Sequence, residues 1–350
     1  MIDAPAPPRT LCILRLSAIG DATHVVPIVR TIQHAWPDTR ITWIIGRPES
    51  RLLGLLPGVE FIIIDKRSLR GAAQSLRQTL RGRRFDVLLH MQLALRASLF
   101  SALIPARVRV GFDRPRAREL QWLFTNRKIA PRSNEHVLDS FFGFTEALGI
   151  GERRLEWQLP IPAAAQDWAR QQIPDGRRAL IVSACSSHRG RNWSVERYAA
   201  VIDHAVRRHG LDVLLCGSPN EYERGVAAAI EHAATVPVRN LVGSDTLPQL
   251  LALLARARAL LAPDSGPAHM ATMVGTPVIG LYAATRSARS GPYLSRQWCV
   301  DRFADAAQRF RGRPADELAW SAKLEEPGVM ELIEVDEVCA KLDELQALLP

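Results

Sequence analysis

The segment from Leu260 to Tyr282, LLAPDSGPAHMATMVGTPVIGLY, decides the fold of this 350-residue chain. A short apolar run ends at Pro263 and is followed by the polar loop 264–267. Pro267 suits the first turn of a helix, because its missing N–H would have no helical partner there. A Gly-Thr-Pro turn at 275–277 then leads into a second apolar run. The segment therefore predicts a strand, a loop, a helix, a turn and a second strand.

The loop before this helix has the features of an anion site. The N–H groups of a first helical turn have no helical partner and point out of the helix end. Ser265 and Gly266 leave room for a ligand to contact the backbone, and a diphosphate is the usual anion at such a position. His269 lies about one turn into the helix. The alternatives are an ordinary turn capped by Asp264 and a buried histidine with satisfied bonds.

Strands and helices alternate in both halves of the chain. The predicted strands occupy residues 11–16, 41–45, 61–64, 87–89 and 108–110, and then 179–183, 212–216, 240–242, 259–262 and 278–281. The predicted helices occupy residues 22–35, 48–56, 69–80, 95–103 and 137–148, and then 194–208, 221–233, 247–257, 267–273 and 335–349. This alternation predicts an α/β protein with two Rossmann-like parallel-sheet domains that face a central cleft. The predicted domains are 1–160 and 168–330, joined by a Pro/Ala-rich stretch at 158–167.

Polar loops follow several of these strands. They occupy residues 17–21, 185–193, 217–221, 243–246 and 263–266. In open α/β sheets, ligands bind beyond the carboxyl ends of the strands, so these loops predict a binding site. Neither half contains a G-x-G-x-x-G fingerprint or a Walker A loop, which argues against NAD binding and ATP hydrolysis.

The composition is that of a globular protein, with 47% hydrophobic and 23% charged residues. No segment has the roughly 18 uncharged apolar residues of a membrane span, and MIDAPAPPRT lacks the features of a signal peptide. We therefore expect a cytoplasmic protein. The five cysteines are scattered, which predicts reduced thiols. Neither the cysteines nor the nine histidines have metal-site spacing, so we expect no zinc.

The positive charge is concentrated in the first half. Residues 1–160 hold 24 Lys+Arg against 14 Asp+Glu, whereas residues 161–350 hold 21 against 22. Such a field attracts anionic partners. Nucleic acid is disfavoured because no aromatic-rich or zinc-finger signature accompanies the charge. An anionic membrane face or a phosphorylated lipid fits, and a solvated basic surface is the alternative.

Four segments resemble glycosyltransferase family 9. They are ILRLSAIGDATHVVPIV (13–29), NWSVERYA (192–199), PDSGPAHMATMVGTPVIGLY (263–282) and, for lipopolysaccharide heptosyltransferases of type I in particular, LRASLFSALIPARVRVGFDRPRAREL (95–120). The resemblance extends over about 10–285. It implies a GT-B fold, ADP-heptose as the donor, a Kdo-bearing lipid A core as the acceptor and an inverting transfer that needs no metal or other cofactor. It also implies that the final segment, 331–350, packs back on the first domain.

The resemblance implies that Asp21 is the general base. Transfer with inversion needs one base to take the proton of the acceptor hydroxyl as the sugar carbon is attacked. The alternative is that Asp21 caps the helix predicted from Ala22. His24, three residues further on, is interpreted as a core residue.

The family's donor site is carried over onto the second half. The implied donor-binding residues are Ser186 and Ser187 for the phosphates, Arg191, Glu221 for the ribose, Asp245 near the adenine, Asp264 for the sugar hydroxyls, Ser265, Gly266 and Pro267 at the helix end, and His269 for the diphosphate. Arg191 stands where the family usually has Lys, and these two side chains are not equivalent. For Glu221, stabilisation of a first helical turn is the alternative.

Arginines of the first half are candidates for the acceptor's phosphates and carboxylates. They are Arg67, Arg70, Arg96, Arg116 and Arg118. The basic half would then lie against the cytoplasmic face of the inner membrane. Two alternatives remain, a related transferase with another acceptor and a nucleotide-sugar-binding protein without turnover, which only the altered 191–194 loop supports. Residues 286–330 show no pattern beyond a loop and a short helix.

Overall fold

The computed structural model describes residues 7–349 and divides into two compact units, residues 1–160 and 161–350. The expectation that residues 1–10 are not a signal peptide falls partly on residues 1–6, which lie outside the described part. No helix within 7–349 combines the length and the apolar character that crossing a membrane requires.

The first unit is a parallel sheet covered by helices. Its strands are β1 (Thr10–Leu14), β2 (Arg40–Gly46), β3 (Val59–Ile64), β4 (Phe85–His90), β5 (Ala106–Gly111) and β6 (Arg127–Lys128). Its helices are α1 (Ile19–Thr23), α2 (Val25–Ala35), α3 (Arg47–Leu53), α4 (Leu69–Thr79), α5 (Leu95–Ala102) and α6 (Val137–Ala147), with a 3₁₀ turn at Gln121–Phe124. The spatial order of the strands is β3-β2-β1-β4-β5-β6.

The second unit repeats this plan. Its strands are β7 (Ala179–Val182), β8 (Asp212–Leu215), β9 (Arg239–Asn240), β10 (Ala259–Pro263), β11 (Val278–Tyr282) and β12 (Val300–Asp301). Its helices are α7 (Ala163–Gln172), α8 (Val195–His209), α9 (Glu221–Ala233), α10 (Leu247–Arg256), α11 (Gly266–Met273), α12 (Ser287–Ser290), α13 (Phe303–Arg311) and α14 (Val335–Leu348). Short 3₁₀ turns lie at Arg189–Arg191, Arg296–Trp298, Ala315–Glu317 and Met330–Leu332.

Both sheets have the same topology. The second has the order β12-β11-β10-β7-β8-β9, and every strand pair in both sheets is parallel. The order reverses between β1 and β4 in the first unit and between β7 and β10 in the second. The two predicted parallel sheets are therefore confirmed. Each switch point is the position where such a sheet leaves a crevice for a ligand.

Apolar burial explains why the strands form. The inner strands β1, β7 and β10 are buried along almost their whole length, as expected for parallel strands covered on both faces. Trp43 on β2 is fully buried, and its Nε1 donates to the carbonyl of Arg15 at 3.1 Å. This bond fixes the start of the loop that follows β1.

Three expectations about the elements need correction. The predicted helix at 22–35 is two helices, α1 and α2, of which the first begins at Ile19. The predicted linker at 158–167 runs into α7, because its alanines start a helix after Pro162. Residues 286–330 contain α12, α13 and β12 rather than a loop and one short helix.

The final helix belongs to the second unit. The buried residues of α14, Val338, Leu342 and Leu345, are part of the core that also contains Tyr198 and Ile202 of α8. The apolar face of the helix is thus buried against its own unit, and packing of segment 331–350 on the first domain stays a prediction.

Candidate active site at the two switch points

Asp21 lies at the switch point of the first unit. It is the third residue of α1, directly after the loop that follows β1. The N-cap position is occupied by Ala18, so the alternative that Asp21 caps the helix is wrong. Its side chain is 42% exposed. An exposed carboxylate at this position can meet a ligand bound beyond the strand ends.

A buried arginine holds this carboxylate. Arg15 is 9% exposed, and its Nη2 donates to Oδ2 of Asp21. Its Nη1 donates to the carbonyl of Met91 at 2.6 Å, and its guanidinium lies 5.2 Å from the centre of the Phe141 ring. Burial lowers the pKa of Arg15, and the charge of Asp21 opposes that shift. The pair therefore fixes one oxygen of Asp21 from the interior side.

The loop between Arg15 and Asp21 is held from the neighbouring strands. Gln92, after β4, accepts a hydrogen bond from the N–H of Leu16 at 2.6 Å and donates to Oγ of Ser17 at 3.2 Å. Lys66, after β3, donates to the carbonyl of Leu16 at 3.1 Å and pairs with the buried Glu49 at 3.0 Å. These contacts come from residues on both sides of β1. They fix the loop that precedes Asp21, and so the position of Asp21, at the carboxyl end of the sheet.

The predicted acceptor arginines differ in how they are bound. Arg67 is 85% exposed and pairs with Asp65 at 2.7 Å. Arg70 and Arg118 are exposed, and Arg96 is half-buried on α5. All of them follow the carboxyl ends of β3, β4 or β5.

Arg116, another predicted acceptor residue, is bonded within its own unit. Its guanidinium donates to Asp113, to Glu135 at 2.7 Å, to Oγ of Ser140 at 3.0 Å and to the carbonyl of Ala130 at 2.8 Å. All three nitrogens of the guanidinium are thus engaged inside the unit. Its role in this structure is to join the loop after β5 to the start of α6.

The switch point of the second unit contains a buried network around Asp264. Asp264, after β10, accepts hydrogen bonds through Oδ2 from Nη1 of Arg191 at 3.2 Å, from Thr285 at 2.8 Å and from Ser290 at 3.2 Å. Its Oδ1 lies 4.0 Å from Nε2 of the buried His269. The structure thus brings together three of the predicted residues, Arg191, Asp264 and His269.

Ser186 belongs to the same network. Its Oγ donates to the backbone carbonyl of Asp264 at 2.9 Å, and its N–H donates to the side chain of Asn192 at 2.7 Å. Ser187, the other predicted phosphate ligand, is exposed. The two loops that flank this switch point are therefore joined directly.

Ser265, Gly266 and Pro267 form the start of α11, as predicted. Ser265 has extended backbone at the N-cap position, and its side chain does not cap the helix. Its Oγ is buried and has no hydrogen-bond partner among residues 7–349. A hydroxyl in this condition, beside the unpaired N–H groups of the helix end, is suited to bind an anion.

The remaining donor candidates lie on neighbouring loops. Glu221 is the first residue of α9 and is exposed, so its alternative role in the first turn is compatible with its position. Asp245 is partly buried, and burial raises its pKa to about 6. A small cavity lies beside α9, lined by Cys185, Cys216 and Val242 among others.

Sequence reasoning missed several residues of both switch points. Arg15 lies within the predicted strand 11–16, and a charged residue in such an apolar run is the available signal. Gln92 and Thr285 give no local signal. Glu325 bonds Arg191 at 2.8 Å, although it is 134 residues away. The bond of Arg191 and its charge keep the pKa of Glu325 below the ordinary value, against the opposing effect of burial.

The loop of Arg191 is also tied to the end of the chain. Nε1 of Trp193 donates to the carbonyl of Ile333 at 3.2 Å. Nη1 of Arg197 donates to the carbonyls of Ile333 and, at 2.8 Å, Glu331. The segment before α14 therefore supports the loop of Arg191.

His24 is a core residue, as interpreted. It is 1% exposed, and its ring meets that of His136 edge to face at 5.4 Å.

Comparison with known proteins identifies relatives that match almost all of the chain. The profile of "Glycosyltransferase family 9 (heptosyltransferase)" matches residues 73–318. The "Lipopolysaccharide core heptosyltransferase OpsX" of Haemophilus influenzae is 39% identical over 338 residues, 97% of each chain. "Lipopolysaccharide heptosyltransferase 1" of Pseudomonas aeruginosa is 25% identical over 302 residues, 80% of each chain.

Solved structures share the fold. A family 9 glycosyltransferase from Veillonella parvula superposes with a TM-score of 0.79 at 18% identity, over 97% of both chains. The ADP-heptose LPS heptosyltransferase II of E. coli superposes with a TM-score of 0.72 at 19% identity, over 97% of this chain and 98% of the other. The predicted GT-B fold, with its two parallel six-stranded sheets, is confirmed.

Proposed function

The chain belongs to glycosyltransferase family 9 (heptosyltransferase), and we propose that it transfers heptose from ADP-heptose to the Kdo-bearing inner core of lipopolysaccharide. The relative with 39% identity is a lipopolysaccharide core heptosyltransferase and matches 97% of this chain. The observation that carries the mechanism is that an aspartate lies at each switch point, one exposed and one buried. The exposed one performs proton transfer, and the buried one organises the donor site.

Asp21 is the general base. Its Oδ2 is held by Arg15, which is the one described residue that bonds this carboxylate. The second oxygen can therefore accept the proton of the acceptor hydroxyl as that hydroxyl attacks the anomeric carbon of the heptose. The bond from this carbon to the diphosphate breaks on the opposite face, so the configuration inverts. A positioned base of this kind contributes about 10²- to 10⁴-fold to the rate.

The second unit binds the donor and receives the leaving diphosphate. The start of α11 offers backbone N–H groups and the unpaired hydroxyl of Ser265 to negative charge that grows as the bond breaks. His269 and Ser186 are proposed to contact the same diphosphate, and the exposed Ser187 follows Ser186 in the same loop. Asp264 binds the sugar hydroxyls through Oδ1, while Arg191 holds Oδ2 in place. Charge stabilisation by these groups requires no metal ion.

The nucleoside is proposed to lie along the loops after β8 and β9. Glu221, after β8, and Asp245, after β9, flank this region. Glu221 is exposed at the first residue of α9, where a ribose hydroxyl can reach its carboxylate.

The first unit is proposed to bind the anionic acceptor at the inner face of the cytoplasmic membrane. Arg67, Arg70, Arg96 and Arg118 supply the positive charge. Leu95 and Leu99, one turn apart on α5, and Leu120 and Leu123, on the adjoining turn, are large apolar side chains that are 40–58% exposed. Arginines interspersed with exposed leucines suit a surface that has both phosphates and acyl chains.

The test is turnover by the purified protein with ADP-heptose and Kdo-lipid A, followed by mass spectrometry of the product. We expect a mass increase of one heptose, unchanged by a chelator. Product formed only with a protein or another glycan as acceptor would assign a different transferase. Calorimetric binding of ADP-heptose without any product would instead favour a non-catalytic binding protein.

A further inference from the structure

A second cluster of polar side chains lies on the helices α8 and α14. Nε2 of His204 and Nε2 of His209, both on α8, lie 2.7 and 2.5 Å from the same oxygen, Oδ1 of Asp343 on α14. The two imidazole rings meet edge to face, with centroids 5.7 Å apart. The three ligand atoms all lie within 4.8 Å of one another. Two nitrogens thus converge on one carboxylate oxygen.

The cluster lies away from the proposed donor site. α8 begins after the loop of Arg191, at the carboxyl edge of the sheet, and its 15 residues span about 22 Å. His204 and His209 are in its second half, next to the start of β8 at Asp212. They therefore lie toward the amino-terminal end of the strands, whereas Asp264 lies at the carboxyl end. The cluster needs an explanation other than donor binding.

The donor set has the chemistry of a transition-metal site. Two imidazole nitrogens and one carboxylate oxygen are ligands that zinc accepts, whereas magnesium and calcium prefer oxygen alone. Each imidazole must carry a proton on Nε2 to bond Asp343, and a divalent cation at the same point would replace both protons. The side chains of His204, His209 and Asp343 are 29%, 15% and 42% exposed, so water can complete the coordination of a metal ion.

We propose that His204, His209 and Asp343 form a binding site for a divalent transition metal of the zinc class, which ties α14 to α8. Asp343 moves outward by the small distance that metal–ligand bonds of about 2 Å require. The site stabilises the second unit and takes no part in glycosyl transfer. It was missed in the sequence because the two histidines are five residues apart and Asp343 is 134 residues beyond the second.

The experiment is calorimetric titration of tag-free, chelator-treated protein with zinc chloride, together with its thermal unfolding. We expect one zinc per chain and a Tm raised by about 5 °C at about a hundredfold excess over Kd. His209→Ala and Asp343→Asn each lower the zinc affinity by about tenfold or more. His34→Ala is the matched control, because His34 also lies near one acid, Glu152 at 3.7 Å, in the first unit. That variant keeps the wild-type affinity.

The proposal would be overturned if the wild type and the three variants bound zinc with equal affinity, or if the wild type bound no zinc. Cys339, one turn before Asp343, gives a further control, and a loss in Cys339→Ser with none in Asp343→Asn would also overturn it. If the histidine variants fold poorly, cobalt(II) added to the wild type is measured instead. Visible absorption bands of a low-coordinate nitrogen–oxygen site support the assignment, and a spectrum like aqueous cobalt contradicts it. Transfer activity is expected to remain unchanged in Asp343→Asn, which separates this result from the proposed function.

Discussion

The two units share one strand order but place an aspartate at the switch point in different ways. In the first unit, Arg15 lies just after β1 and Asp21 lies in the first turn of α1, and the carboxylate is 42% exposed with one hydrogen-bond donor. In the second, Asp264 is 10% exposed and receives bonds from Arg191, Thr285 and Ser290. A topology that aligns loops at one end of the sheet can therefore supply either a solvent-accessible carboxylate or a buried one with several donors. Solvent access and the number of donors decide which.

The largest effect is expected at the exposed carboxylate. Asp21→Asn removes the proton acceptor while keeping the size of the side chain, so kcat should fall by about 10³-fold. Binding of ADP-heptose should remain unchanged, because the donor is proposed to bind the second unit. Steady-state kinetics and donor calorimetry measure the two quantities. Asp38→Asn, at another exposed aspartate of the first unit, is the control and should keep full activity. Near-normal turnover in Asp21→Asn would eliminate this residue as the base.

The next largest effect is a difference in the free energy of unfolding between variants of Arg191 and Arg15. Arg191→Met leaves the buried Asp264 and its neighbour Glu325 without their cation, which should lower the free energy of unfolding by about 3 kcal/mol. Arg15→Met leaves Asp21 within reach of water, and the loss should be about 1 kcal/mol. Urea denaturation of the two variants measures both. Equal losses would show that burial does not distinguish the two pairs.

A smaller effect, with a defined pH dependence, is expected at Asp245. Burial raises the pKa of this carboxyl to about 6 in the folded protein. Its contribution to stability is therefore fully present below the unfolded pKa of about 4 and is lost as the pH rises through about 6. Asp245→Asn should stabilise the protein at pH 7 by at most about 2 kcal/mol and have little effect at pH 4. Thermal unfolding at the two pH values measures this. A stability difference that is the same at both would contradict the shift.

The smallest effect is expected at the exposed arginines. Arg67→Gln should raise the KM for the acceptor about threefold at low salt, and less at high salt, because exposed charges are screened. Stability should change by less than about 0.5 kcal/mol. Arg116→Gln provides the contrast, since its bonds to Asp113 and Glu135 are structural. It should lower Tm, and a pure KM effect there would restore Arg116 to the acceptor site.

The strand and helix plan could be predicted because parallel strands leave local apolar runs. β1, β2, β10 and β11 were all found as such runs, and the turn chemistry of residues 263–267 located the start of α11. The short edge strands β6 and β12 were missed, since two residues carry no periodicity. Their pairing is determined by the neighbouring strand and not by their own sequence.

The placement of a candidate residue was predictable where the residue lies inside a motif and not where it comes from a distant part of the chain. Asp21, Asp264 and Ser265 follow strands directly, so their loops could be placed at one edge. The role of Arg15 could not be predicted, because this residue lies near the end of an apolar run that is typical of a strand. Glu325 reaches Arg191 from a region without pattern, and no local rule connects two residues 134 positions apart. The bond of Arg116 to Glu135 was unpredictable for a similar reason, because Glu135 lies 19 residues further on.

The bonds from Trp193 and Arg197 to the carbonyls of Ile333 and Glu331 make the tail of the protein a support for the loop of Arg191. A protease cut or a stop codon upstream of residue 331 would remove those carbonyls and leave a buried indole N–H unpaired. The loop of Arg191 would then loosen although none of its own residues had changed. Truncated alleles of this gene should therefore behave as donor-binding mutants.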